Sequence, residues 1–176
     1  SAALIYLFDS NSYFPDRSIT KYDWIQFDQI AWYRGISEKL CNLNGGKPLP
    51  ALAFFHIPLP EFKEVLNQKS IIGECGETPC SSVLNSGLFT SMLQKNDVMG
   101  IFVGHDHNNN YIGCLHNIAL AYGCKTGLES YGNLEIGARI IDMYEDERKF
   151  DTWIRSFDSQ RRYFVTYPNS FVVENK

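Results

Sequence analysis

Three histidines in this 176-residue sequence stand where apolar segments end. His56 closes the apolar segment 51–55, and the pair His105 and His107 follows the apolar segment 98–103. The carboxyl ends of neighbouring parallel strands meet at one edge of a sheet, and ligand sites collect there. Imidazole is the commonest neutral metal ligand and suits zinc, iron, nickel and copper alike. The spacing therefore predicts a metal site built from these three side chains.

The same residues also allow simpler interpretations. A His-x-His pair occurs on surfaces by chance, and a lone histidine beside aromatic residues, such as His56, is typical of a hydrogen-bonded core position. Gly104, which lets the backbone approach closely, strengthens the metal interpretation of the pair that follows it. Asp106, between the paired histidines, is expected to fix the loop or to support a ligand. His116 has no such context and is interpreted as structural.

Composition limits the classes of function. Lys and Arg number 16 against 20 Asp and Glu, so the net charge is −4, and no basic tract predicts a nucleic-acid partner. The sequence has no apolar run of about 20 residues, so no membrane-spanning segment is predicted. A hydrophobic content of 44% and an aromatic content of 14% are typical of a folded protein, and we expect one domain over residues 1–176.

The elements that must position the histidines alternate between strand and helix. Apolar segments at 3–8, 51–55 and 98–103 predict buried strands, and the Asp23 and Gln26 pair predicts a capping box at the start of a helix. Further helical turns are expected within 60–67 and 88–93. The fold class predicted is α/β, tending to α+β, with a sheet covered on both faces. Short strand-like runs then predict a terminal β meander, at 111–115, 118–122, 138–144, 151–155 and 162–165.

Five cysteines cannot all pair within one chain. Cys75 and Cys80 lie in a turn-rich stretch where a local disulfide is sterically plausible, and free thiols fit the sequence at least as well. The sequence has no Cys-x-x-Cys, so a cysteine zinc site is not expected.

Two segments resemble motifs of the calcineurin-like metallophosphoesterases. Phe102-Val103-Gly104-His105-Asp106-His107 is similar to the family's final Gly-His-x-His motif, and Phe54-Phe55-His56-Ile57-Pro58 is similar to the motif before it. The string that continues through Asn109 resembles the purple-acid-phosphatase-like branch, and the likeness covers roughly residues 4–155. It implies the C-terminal half of a β-sandwich flanked by helices.

The resemblance also implies a chemistry. His56 and His105 would hold one metal ion and His107 the other, in a centre of two divalent or trivalent ions of the iron, zinc or manganese class. The implied activity is hydrolysis of a small phosphorylated substrate. An extracytoplasmic location, periplasmic or secreted, is suggested by the family alone. Substrate-binding residues are not identified.

The earlier motifs of the family, Asp-x-His, Gly-Asp-x-x-Asp and Gly-Asn-His, do not occur in the sequence, and Asp9 is the only early acid at a strand end. We therefore expect that the N-terminal half of the same protein supplies the remaining ligands. This chain alone is expected to be inactive, with weak or adventitious metal binding at most. Two alternatives stay open, a non-catalytic β-rich interaction domain and a mononuclear protein that holds one ion with His56, His105 and His107.

Overall fold

The computed structural model describes residues 3–68, 71–145 and 147–172. A five-stranded sheet carries the histidine segments, with its strands in the order β1-β2-β3-β5-β4. The first three strands and β5 run parallel, and β4 pairs antiparallel with β5. The strands are β1 (Leu4–Leu7), β2 (Ala51–Phe54), β3 (Val98–Val103), β4 (Ile112–Leu115) and β5 (Ile118–Tyr122).

A second, three-stranded antiparallel sheet follows, in the order β6-β7-β8. Its strands are β6 (Gly137–Met143), β7 (Phe150–Ser156) and β8 (Arg161–Tyr167). The predicted meander is confirmed for this sheet. It was wrong for β4 and β5, which extend the first sheet beside β3, because a strand's own alternation does not encode which strand it will pair with.

Three helices lie on one side of the first sheet, α1 (Phe27–Leu43), α2 (Glu61–Glu64) and α3 (Leu88–Lys95). The buried side chains Tyr33, Phe62 and Met92 join a core cluster with the helix-facing residues of the strands. On the other side, Phe150 packs among residues of both sheets, with its ring 5.8 Å from that of Phe102 and stacked on Tyr167. The fold is therefore a two-sheet sandwich with helices, and the predicted fold class is confirmed.

The predicted start of the first long helix was one turn too early. The Asp23 carboxylate accepts hydrogen bonds from the Trp24 amide at 2.8 Å and from the Gln26 side chain at 2.9 Å, whereas in a capping box it would accept from the Gln26 backbone amide. Gln26 has extended backbone, φ −69° and ψ 156°, and the helix begins at Phe27. These bonds stabilise a turn before the helix, because side-chain bonds of Asp compete with helical backbone bonds.

Strand β1 forms an edge of the first sheet, and in the described part of the chain it pairs with β2 alone. Tyr6 points into the helix-side core, whereas Ile5 and Leu7 point the opposite way and are 62% and 70% exposed. A parallel strand usually has both faces covered, so these two side chains form an unusual apolar strip. None of the helices in the described ranges combines the length and the apolar character that a membrane-spanning segment needs.

Candidate metal centre

The parallel pairing of β2 and β3 brings His56 to His105. Phe54 is in register with Phe102, so the two strands end side by side, and each histidine follows its strand by two residues. The Gly104 amide donates to the His56 carbonyl at 3.1 Å and so ties the two segments together. A Cβ atom at Gly104 would lie 3.2 Å from His56 Nδ1, which explains why glycine precedes the pair.

The His56 and His105 rings meet almost at right angles, with an interplanar angle of 86° and 5.2 Å between centroids. His56 Nε2 and His105 Nδ1 lie 3.4 Å apart. Two imidazole nitrogens bound at ~2.0–2.1 Å to one tetrahedral zinc ion are separated by about 3.3–3.4 Å. The two nitrogens therefore have the separation that two ligands of one ion require, and this pair fits the group that the resemblance implies.

Backbone and electrostatics both favour His105 as a ligand. Its φ of 76° lies in the left-handed region, which a non-glycine residue adopts only where surrounding contacts hold it. Burial lowers the pKa of the His105 imidazole, against an opposing effect of Asp106. The neutral ring, the form that binds metal ions, is thereby favoured.

His107 lines the same cavity of about 370 Å³ as His56 and His105. Its ring stacks on Tyr131, with 4.3 Å between centroids and an interplanar angle of 22°. His107 Nδ1 lies 3.2 Å from the Tyr131 carbonyl oxygen. Across residues 3–68, 71–145 and 147–172, no three His, Cys, Asp or Glu side chains are grouped closely enough to hold one ion, so a three-histidine mononuclear site is not formed.

Asp106 anchors the loop between the two histidines. Its side chain is buried, and Oδ2 accepts hydrogen bonds from the Tyr122 hydroxyl at 2.6 Å and from the Cys80 amide at 3.0 Å. Burial and the neighbouring Asp106 carboxylate raise the pKa of Tyr122, which therefore stays a donor. These two bonds hold the loop to β5 and to Cys80, which is the loop-fixing role expected for Asp106.

A segment that we call the strap, residues 72–80, runs antiparallel beside residues 106–112. Bridges join Ile72 to Ile112 and Cys75 to Asn109, and the Gly76 amide donates to the Asn108 carbonyl at 2.7 Å. The sequence indicated only that the stretch around Cys75 and Cys80 is rich in turns, and not that it pairs with residues 106–112. The overlooked signal is the pair of glycines at 73 and 76, where a Cβ would lie under 3.0 Å from the neighbouring segment.

The remaining predicted residues are also located. All five cysteines are free thiols, so Cys75 and Cys80, both in the strap, are not bridged. His116 lies in the turn between β4 and β5, with its ring centroid 6.5 Å from that of Phe89, and does not line the cavity of the three other histidines. Sequence reasoning did not identify Glu77, which contacts Asn108 from 31 positions away, or Tyr131, which contacts His107 from 24 positions away.

Comparison with known proteins identifies relatives across most of the chain. It is 33% identical over 168 residues to the Arabidopsis thaliana protein named probable inactive purple acid phosphatase 29, covering 90% of this chain and 43% of the relative. It is 32% identical to probable inactive purple acid phosphatase 14 of the same plant, covering 85% and 39%. Phosphatase DCR2 of Saccharomyces cerevisiae is 30% identical over 176 residues, covering 91% and 29%. No protein-family model matches the sequence.

A solved structure shares the fold. The dimetal phosphatase from Danio rerio aligns with a TM-score of 0.51 at 14% identity, over 83% of this chain and 39% of that one. At this identity the likeness concerns the fold alone. The chain spans about two fifths of the length of the Arabidopsis relatives it matches.

Proposed function

This chain is homologous to the purple-acid-phosphatase-like branch of the calcineurin-like metallophosphoesterases, and on that premise we propose that it supplies half of a dinuclear centre for phosphoester hydrolysis. His56 and His105 would hold one ion, and His107 the other. The observation that carries the proposal is the 3.4 Å separation of His56 Nε2 and His105 Nδ1, across two strand ends that are 49 residues apart in sequence.

Metal ions of the iron, zinc or manganese class, when bound there, would polarise a phosphoryl group and lower the pKa of a bound water. Other residues of this chain hold and orient the three histidine ligands. The Gly104 amide fixes the His56 carbonyl, Asp106 fixes the loop between His105 and His107, and burial keeps His105 neutral. The cavity that the histidines line has about 370 Å³ of space, which is enough for a small phosphorylated substrate.

The remaining ligands would come from an N-terminal segment of a longer protein. Two imidazoles for one ion and one for the other leave both shells short of the four or more ligands that such ions take. In the described residues no acidic side chain joins the histidines to complete a site. The chain alone would then bind metal weakly and show little phosphatase turnover. An extracytoplasmic location stays a prediction from the family resemblance.

Metal binding by this chain tests the ligand assignment. We expect Co²⁺, followed by its visible absorption, to bind weakly to the wild-type chain and to lose most of its affinity in the H56A and H105A variants. The H116A variant is the matched control, because it removes a histidine that does not line the cavity. Equal Co²⁺ affinity in H105A and H116A would contradict the assignment.

Activity is tested in the longer protein. Hydrolysis of an aryl phosphate should fall by orders of magnitude on His105→Ala, because one ion loses a ligand. Unchanged turnover would remove the phosphoesterase assignment.

A second candidate function is metal binding without catalysis. Two relatives carry names that mark them as probable inactive phosphatases. In this case the longer protein would bind two metal ions stoichiometrically through the same histidines and still fail to hydrolyse aryl phosphates. Metal analysis and turnover on one preparation separate the two functions.

A further inference from the structure

We propose that Glu77 and Tyr131 are positioning residues that hold the His107 imidazole in one tautomer, with Nδ1 protonated and Nε2 free to bind a metal ion. The metal-binding part rests on the function proposed above, whereas the tautomer does not. Glu77 lies on the strap and Tyr131 lies in the loop between β5 and β6. Neither residue is among the expected ligands.

The first support is the bond at the ring itself. His107 Nδ1 lies 3.2 Å from the backbone carbonyl oxygen of Tyr131. A carbonyl oxygen can only accept, so a hydrogen bond there requires a proton on Nδ1. The lone pair of a neutral ring then resides on Nε2. Metal-bound histidines ordinarily donate their other ring N–H to a carbonyl or carboxylate in this way.

The second support is the set of contacts that place the Tyr131 carbonyl. The Tyr131 ring stacks on the His107 ring at 4.3 Å between centroids, and the His107 amide donates to the Tyr131 hydroxyl at 3.2 Å. The hydroxyl in turn donates to the Glu77 carboxylate, whose two oxygens lie 3.1 and 3.2 Å away. The side chain and the carbonyl of one tyrosine therefore hold both the backbone and the ring of His107.

The third support is that Glu77 is itself fixed. Its Oε1 accepts a hydrogen bond from the Asn108 amide at 2.7 Å, and its own amide donates to Asn109 Oδ1 at 3.1 Å. The Glu77 carboxylate therefore links the strap to Tyr131, which in turn contacts the His107 ring.

Nitrogen NMR of the histidine side chains in this chain tests the proposal. In the wild type, the His107 signals should report one dominant tautomer with the proton on Nδ1. Tyr131→Ala should shift them to a mixture of tautomers. Tyr131→Phe and Glu77→Ala should have intermediate effects. Both variants keep an aromatic ring to stack on His107 and the carbonyl of residue 131, and both lose the hydrogen bond between the hydroxyl and the carboxylate. Glu77→Gln retains an acceptor and should restore much of the wild-type pattern.

The matched control is Tyr163→Phe. Tyr163 donates to Glu74 at 2.6 Å, so this variant removes a Tyr–Glu hydrogen bond from the same strap without touching His107. It should leave the His107 tautomer unchanged. A His107 tautomer that is the same in the wild type, Tyr131→Ala and Glu77→Ala would overturn the proposal. An equal shift in the control would also overturn it, because the effect would then be a general loosening of the strap.

Zn²⁺ titration of the longer protein separates this proposal from the proposed function. Loss of the positioning bonds should weaken binding at His107 by about 10-fold, which is the lower end of the effect measured for such partners of metal ligands. If the His107 signals of the wild type do not change with Zn²⁺, the proposed metal centre is rejected. The tautomer measurement still decides whether Glu77 and Tyr131 position the His107 ring.

Discussion

Removal of the Tyr122 hydroxyl is the sharpest test of how the histidine loop is held. Tyr122 is 1% exposed, and its hydroxyl donates to Asp106 Oδ2 at 2.6 Å. A hydrogen bond to a charged group contributes ~1.5–3 kcal/mol, so Tyr122→Phe should lower the free energy of unfolding by about 2 kcal/mol. For a domain of this size each kcal/mol shifts Tm by roughly 2–4 °C, which predicts a fall of about 4–8 °C.

Urea unfolding and calorimetry measure this change, and a double-mutant cycle assigns it. Asp106→Asn, Tyr122→Phe and the double variant should show a coupling energy of more than ~0.5 kcal/mol, because the two groups share one buried bond. Tyr144→Phe is the control, since Tyr144 also donates to a carboxylate, that of Asp151 at 2.7 Å, but far from the buried loop. A Tyr122→Phe protein as stable as the wild type, or a zero coupling energy, would refute the reasoning.

Three further outcomes are expected. Burial raises the pKa of Glu61, and its Oε2 has no hydrogen-bond partner, so the ionised form destabilises the fold. The free energy of unfolding should therefore fall as pH rises from 4.5 through the raised pKa. In urea unfolding, Glu61→Gln should increase the free energy of unfolding by about 1 kcal/mol at pH 7 and leave it unchanged below pH 4.5. Phe150→Ala should lower the free energy of unfolding by ~3–5 kcal/mol, because the Phe150 ring is buried among residues of both sheets. Because the two sheets share this core, circular dichroism should still show one cooperative unfolding transition. Gly104→Ala should displace the His56 ring, seen as altered His56 NMR signals with folding retained, since the new Cβ would lie 3.2 Å from Nδ1.

The sequence was informative where local pattern and structure coincide. The apolar segment Val98–Val103 predicted β3 with its bounds, and the histidines after β2 and β3 predicted the edge where His56 and His105 meet. Continuous apolar runs indicate buried parallel strands, and parallel strands place their carboxyl ends together, so both conclusions follow from local composition.

The parts that could not be predicted depend on partners that are distant in sequence. Nothing local in Tyr131 indicates that it will stack on His107, and nothing in the strap indicates that Glu77 will accept from Asn108. The pairing of β5 with β3 likewise depends on a strand that is distant in sequence. The predicted start of α1 was wrong for a different reason. Asp and Gln three residues apart are typical of a capping box, but here Asp23 bonds the Trp24 amide and the Gln26 side chain and so stabilises a non-helical turn.

Strand β1 has a practical consequence for work with this chain. Its outer edge has backbone groups free of sheet pairing in the described structure, and Ile5 and Leu7 add an apolar face beside that edge. An exposed, apolar edge strand is a template for pairing with another chain, so concentrated solutions of the isolated chain should aggregate through β1. A gatekeeper charge, Ile5→Lys, should reduce light scattering without loss of stability, because the side chain that it replaces is already in solvent.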